Sequence, residues 1–373
     1  MKKVSIFIKS PYFLIFVLGI VNLSIAFFLI KQPLNISGDS LSYFNAMKFL
    51  QGQEYNTQFN GPDTEIVLKA RILTTPLMLY SSIFFGKIIG NEYDGMLLIN
   101  IIFYFLIIFV FYKLIYAIYK DHFISLISSV LFMANYCLYH YGTTYRTDIG
   151  GWFFFLLATL LAVKYFKNPQ INKFYYLAIL SASIGVLFKE YGALGLISLC
   201  FLILFFNVAF WEKIKKIFKA GILFSIIPGL YHLFFLWKFN YSYFHWHSYA
   251  FSEVINNPAA PGIDWSILLL AKVLGWLFLA GWPIFAWGLY QEYKNFDKQR
   301  IKILLAILPA SLSFLAWPGL TQRIAFILVP WLAMISGYGL SKIKSKYLIV
   351  FILLIYALVN YLTRPWLLSM INL

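Results

Sequence analysis

Five short stretches of this sequence carry charge where their neighbours are almost wholly apolar, so chemistry is sought there first. In Ser37-Gly38-Asp39-Ser40-Leu41-Ser42-Tyr43 a carboxylate heads a helical pattern with Leu41, Phe44, Met47 and Leu50 on one face. An acid in that place is an ordinary helix N-cap. The same position also keeps a carboxylate ionised and fixed, as a general base requires. In Lys69-Ala70-Arg71-Ile72-Leu73-Thr74-Thr75-Pro76, Arg71 either snorkels to lipid phosphate or clamps a substrate phosphate with its planar fork. In Tyr145-Arg146-Thr147-Asp148 an acid opens an apolar block, where it is costly unless paired or functional, and Arg146 is an available partner. Lys189-Glu190 forms an abrupt two-charge turn between apolar stretches. In Trp317-Pro318-Gly319-Leu320-Thr321-Gln322-Arg323, Arg323 leads straight into an apolar helix, with lipid snorkelling again the plain alternative.

A sixth stretch is aromatic: Tyr241, Tyr243, Phe244, His245, Trp246, His247 and Tyr249. An interfacial aromatic belt accounts for it, and stacking on a sugar is compatible with it. His245 and His247 share a face only on an extended chain, which makes a weak metal pair. Cys137 and Cys200 lie inside apolar blocks and suggest packing, with neither a disulfide framework nor zinc spacing. No metal ligand set is assigned and no cofactor is expected, with a divalent metal left open.

The elements that must position these residues are membrane helices. Of 373 residues 61% are hydrophobic and 12% charged, whereas a soluble domain carries about 25% charged residues. Blocks such as 13–30, 96–112 and 349–362 approach the roughly 20 residues needed to cross a bilayer. The reading is an all-α polytopic membrane protein of about eleven spans. They run over 11–31, 95–118, 122–141, 147–166, 174–189, 191–210, 219–238, 266–290, 302–317, 323–341 and 346–363. The chain reads as a single membrane domain, 1–373, without a separate soluble domain. Two long loops, about 32–94 and 239–265, interrupt it.

The formal charge of +16 does not point to nucleic acid, because no such binding motif is present. Its lysines cluster in short loops, among them Lys164, Lys167, Lys213, Lys215, Lys216, Lys342, Lys344 and Lys346. With a cytoplasmic N-terminus, most Lys and Arg fall inside, as the positive-inside rule asks, and anionic lipid headgroups are their partners. Most carboxylates and both long loops then fall outside. Residues 1–9 are basic and precede a retained first helix. Residues 72–90 could span, but that would turn every later Lys-rich loop outward, so they read as a helix at the outer interface.

Taken in order, these motifs resemble the GT-C superfamily of membrane glycosyltransferases, in particular the protein O-mannosyltransferases and bacterial aminoarabinose transferases. Those families follow one helix with a long outer loop whose early acid is catalytic. Gly38-Asp39-Ser40 matches that position, although the usual Asp-Glu pair is here Asp-Ser. Arg71 with Pro76, Asp148 after the third helix, Leu187-Phe188-Lys189-Glu190, and Arg323 with Pro330 look like the later elements. The resemblance implies a polyprenyl-phosphate-sugar donor, an acceptor hydroxyl on a glycan, lipid or protein, and an inverting displacement at the outer face of the plasma membrane. It assigns Asp39 as base, Asp148 to orient the acceptor or assist the base, and Arg71, Lys189 and Arg323 to the donor phosphate. Tyr43, Arg146, Glu190, His245 and His247 are further candidates for substrate binding. A lipid-linked-sugar flippase, or a polysaccharide polymerase or ligase with a diphosphate-linked donor, are the alternatives.

Overall fold

The computed structural model describes residues 10–29, 38–56, 64–142, 144–256, 267–317 and 321–371. The basic N-terminal residues 1–9, residues 30–37 and 57–63 of the long first loop, and residues 143, 257–266, 318–320 and 372–373 lie outside this description. The regular structure among the described residues is all helical, with no strand.

The helices are α1 (Pro11–Leu29), α2 (Asp39–Leu50), α3 (Thr64–Thr74), α4 (Pro76–Ile89), α5 (Glu92–Tyr119) and α6 (His122–Met133). There follow α7 (Tyr136–Gly142), α8 (Asp148–Lys167), α9 (Asn172–Phe188), α10 (Leu194–Leu204), α11 (Phe210–Phe239) and α12 (Tyr243–Asn256). The chain ends with α13 (Ile267–Phe278), α14 (Gly281–Lys294), α15 (Lys298–Ser311), the single turn α16 (Gln322–Ala325), α17 (Val329–Ser341) and α18 (Lys346–Ile371). Among the described residues seven helical stretches are long and apolar enough to cross a membrane, and up to ten if each of three bent pairs is one span. The expected spans at 174–189 and 191–210 are the shorter apolar α9 and α10, so the length criterion does not reach eleven.

Three expected continuous helices are broken. The 72–90 segment is part of a longer pair, α3 and α4, which meet at Thr75 with a bend of 92°. Pro76 supplies the first turn of α4, where its missing N–H costs nothing. Helices α6 and α7 meet at 64° and α13 and α14 at 87°. A break inside an apolar bundle exposes backbone groups that no water can satisfy. Asn135 answers this at two breaks together. It donates to the Leu277 carbonyl at 2.8 Å and accepts from the Cys137 amide at 3.1 Å. Asn360 on α18 accepts from the Tyr136 amide at 3.1 Å.

The packing joins α4, α5, α8 and α9 in one layer and α6, α14 and α17 in another, with α10 against both α8 and α15. Apolar faces of α1, α11 and α18 remain exposed, for example Phe28, Leu230 and Leu354. Exposed apolar side chains on helices of this length are those that lipid covers. Helix α11 begins at Phe210, nine residues before its expected start at 219, because Lys213, Lys215 and Lys216 are helical residues and not loop residues.

The reversal between α9 and α10 is the tightest feature near the charged stretches. A Cβ on Gly192 would lie 2.1 Å from the backbone carbon of Gly185, so only glycine permits this approach. Gly192→Ala is expected to push the turn apart and cost about 1–3 kcal/mol by overpacking. A lowered unfolding midpoint in detergent would register it; an unchanged midpoint would show that the turn yields freely.

Candidate active site

Asp39 is the first residue of α2. Its predecessor Gly38 is the N-cap, with φ 55° and ψ −124°, a conformation that a residue with a Cβ rarely adopts. Asp39 is therefore the first helical residue and not the expected cap, and its carboxylate turns to three arginines. Arg71 Nη2 donates to Oδ1 at 2.6 Å, while Arg146 Nη1 and Arg323 Nη1 donate to Oδ2 at 2.8 and 2.5 Å. These partners lie 32, 107 and 284 residues away in sequence.

Each arginine is held in turn. Arg71, in the last turn of α3, donates through Nε to Ser42 Oγ at 2.9 Å and lies over the Tyr43 ring. Arg146 sits on the loop before α8. Asn100 of α5 donates to the carbonyls of Thr144 and Arg146 at 2.7 and 2.8 Å and fixes that loop. Arg323, on α16, donates through Nε to Asp148 Oδ2 at 2.8 Å. Arg323 thus bridges the two carboxylates. The expected Arg146–Asp148 pair is not formed; Arg146 takes Asp39 and Arg323 takes Asp148. Asp148 is 0% exposed and its Oδ1 has no hydrogen-bond partner among the described residues.

Lys189 follows α9 and pairs with Glu190 at 3.3 Å. Asp39, Arg71, Lys189, Glu190 and Arg323 face one cavity of about 230 Å³. Tyr191, Trp317, Thr321 and Ile324 complete its wall. Four cations and three carboxylates meet here, an excess of one positive charge. Neither Arg71 nor Arg323 snorkels outward; both point to Asp39.

Other expected site residues have different placements. Tyr43 is fully buried, and its hydroxyl has no partner among the described residues. Burial disfavours the tyrosinate, yet Lys189 and Arg71 outweigh it and bring the Tyr43 hydroxyl below the usual tyrosine range. Asp148 does not face the cavity, because it lies behind Arg323 at the start of α8. His245 and His247 are on α12, so as residues two apart on a helix they do not share a face. His245 Nδ1 contacts the Ser242 hydroxyl at 2.9 Å, and His247 stacks on Tyr243. Neither faces the cavity. Sequence reasoning passed over Asn100, Ser42 and Tyr191; an amide inside the apolar 95–118 block was the available signal for Asn100. Among the described residues no three His, Cys, Asp or Glu side chains converge as a metal set, and both carboxylates already carry guanidinium partners.

Burial opposes the charge on Asp39, but Arg71, Arg323 and Arg146 together outweigh it and hold the carboxyl well below the usual range. A depressed folded-state value means that the ion pairs contribute fully above the ordinary value of 3.8 and are lost only as pH falls through the lower folded value. The Asp39 carboxyl is thus expected to remain ionised at pH 3.8, which an infrared carboxylate band can check; half protonation there would contradict it. Arg323→Ala leaves Asp148 buried without a partner and is expected to cost about 3–5 kcal/mol. Arg323→Lys should recover part of this, because one ammonium cannot bridge both carboxylates with a planar fork. Unfolding midpoints of the two variants in detergent separate charge from geometry.

Residues 74–237 match the family model of the dolichyl-phosphate-mannose-protein mannosyltransferases. A comparison with curated proteins gives no significant match. Among solved structures the chain is similar to the Archaeoglobus fulgidus oligosaccharyltransferase in complex with zinc and sulfate. The TM-score is 0.58 at 15% identity, over 92% of this chain and 52% of that one. Its apo form matches with the same TM-score and identity, over 93% of this chain and 55% of that one. The chain spans about half the length of these structures. It has a GT-C-like, multi-pass membrane fold, and over residues 74–237 it is similar in sequence to the dolichyl-phosphate-mannose-protein mannosyltransferases.

Proposed function

We propose that the chain is a membrane glycosyltransferase that moves a sugar from a polyprenyl-phosphate donor to an acceptor hydroxyl. The observation that carries this reading is the convergence of Arg71, Lys189 and Arg323 with Asp39 on one cavity. Cations on a cavity wall suit a phosphate that gains charge as it leaves. The family match over 74–237 supports the same reaction class.

In the proposed step Asp39 takes the proton of the acceptor hydroxyl. The acceptor oxygen attacks the anomeric carbon, and the bond from that carbon to the phosphate oxygen breaks. The bonding pair leaves with the phosphate, whose charge Arg71, Lys189 and Arg323 receive. One in-line displacement inverts the anomeric centre. Asp148 acts here by orienting Arg323. The aromatic walls Tyr191 and Trp317 offer surfaces on which a sugar ring can stack. The donor's tail stays among lipids while its head enters the cavity. By the charge placement along the chain, the cavity opens on the outer face of the plasma membrane, with a cytoplasmic N-terminus.

Purified protein given labelled polyprenyl-phosphate sugar and a hydroxyl acceptor is expected to transfer the label. Asp39→Asn is expected to lower the rate by about 10²–10⁴-fold, the range of a lost general base. Arg71→Ala should also lower it, by weakening the leaving group's stabilisation. Full activity in Asp39→Asn would remove the base assignment. Movement of the lipid across vesicles without bond cleavage would replace transferase by flippase.

A further inference from the structure

Arg71 and Arg323 both line the cavity, and both already give an N–H to Asp39. A carboxylate and a phosphate oxygen make the same charge-assisted bond to a guanidinium. A phosphate entering the cavity and Asp39 therefore compete for the same donors. Arg146 differs from the other two. It does not line the cavity, and Asn100 secures its loop from α5 by holding the carbonyls of Thr144 and Arg146. Its bond to Asp39 Oδ2 is made from outside the cavity wall.

We infer that Asp39 is a placeholder for the donor phosphate: a phosphate-bearing lipid displaces it from Arg71 and Arg323 while Arg146 retains it. This rests on the proposed donor class. It gives one carboxylate two successive tasks. Without donor it holds two mutually repelling arginines at the cavity wall. With donor seated, those arginines pass to the phosphate, and Oδ1, which only Arg71 held, is freed to accept a proton from the acceptor while Arg146 keeps Oδ2. Asp39 becomes a competent base only when there is a sugar to transfer. Arg146 is then a positioning residue, which keeps the released carboxylate in place.

The test is the affinity of the whole chain, in lipid nanodiscs, for a polyprenyl monophosphate that lacks sugar. Removing a competing charge predicts that Asp39→Asn binds this lipid roughly tenfold more tightly than the wild type, although it transfers sugar far more slowly. The gain should persist at raised ionic strength, where a general charge effect is screened. Equal or weaker binding by Asp39→Asn overturns the inference, because Asp39 would then only organise the arginines. A gain that salt abolishes also overturns it, as does one seen with inorganic phosphate but not with the lipid. If the wild type does not bind the lipid at all, the donor reading itself fails, which is a distinct result. If Asp39→Asn does not fold, the wild type labelled with ¹³C-carboxyl aspartate gives the same decision. A shift of a carboxylate infrared band on lipid addition supports displacement, and an unchanged spectrum contradicts it.

Discussion

The site depends on one carboxylate. Asp39 gathers guanidiniums from α3, from the loop before α8 and from α16, which are far apart in the chain. Three arginines do not approach one another in a medium of low dielectric unless a negative charge sits between them. Asp39 is that charge, and Asp148 supplies a second one behind Arg323. The cluster thus joins the long first loop to the start of α8 and to α16 by electrostatics, where apolar packing alone would set no particular register. A partly buried ion network anchored on the fully buried Asp148 is costly to assemble and more costly to break than to keep, which makes it a fixing device for geometry.

The rest of the bundle serves that geometry through backbone satisfaction. The bend at Thr75 lets α3 deliver Arg71 while α4 packs against α5. The breaks near Asn135 and Leu279 are tolerated because Asn135 and Asn360 satisfy the exposed backbone groups. Asn100 does the same for the loop that carries Arg146. In an apolar surrounding such amides are worth more than their number suggests, because the alternative partner, water, is missing.

Much of the site was legible in the chain. Charged residues are scarce, so each one embedded in an apolar block, Asp39, Arg71, Asp148, Lys189 and Arg323, had to be paired or functional. The pairing was not legible. Arg146 stands two residues from Asp148 yet bonds Asp39, while Arg323 reaches Asp148 across 175 residues. Proximity in sequence is a poor guide here because Asp148 is buried where α16 meets the start of α8, and Arg323 on α16 reaches it. The placement of His245 and His247 off the cavity was likewise invisible, since it depends on the 243–256 segment being helical.

The sequence by itself determined that this is a helical membrane protein with few and deliberate charges, because hydropathy and charge spacing are properties of composition along the chain. It also marked which residues could hold phosphate and take a proton. Tertiary structure alone decided that Asp39 is no cap but the centre of three guanidiniums, that Asp148 stands behind Arg323, and that the 72–90 helix is bent at Thr75. The physical reason is that long-range ion pairing and backbone satisfaction are settled by which helices pack together, and helix packing leaves no local mark on the sequence.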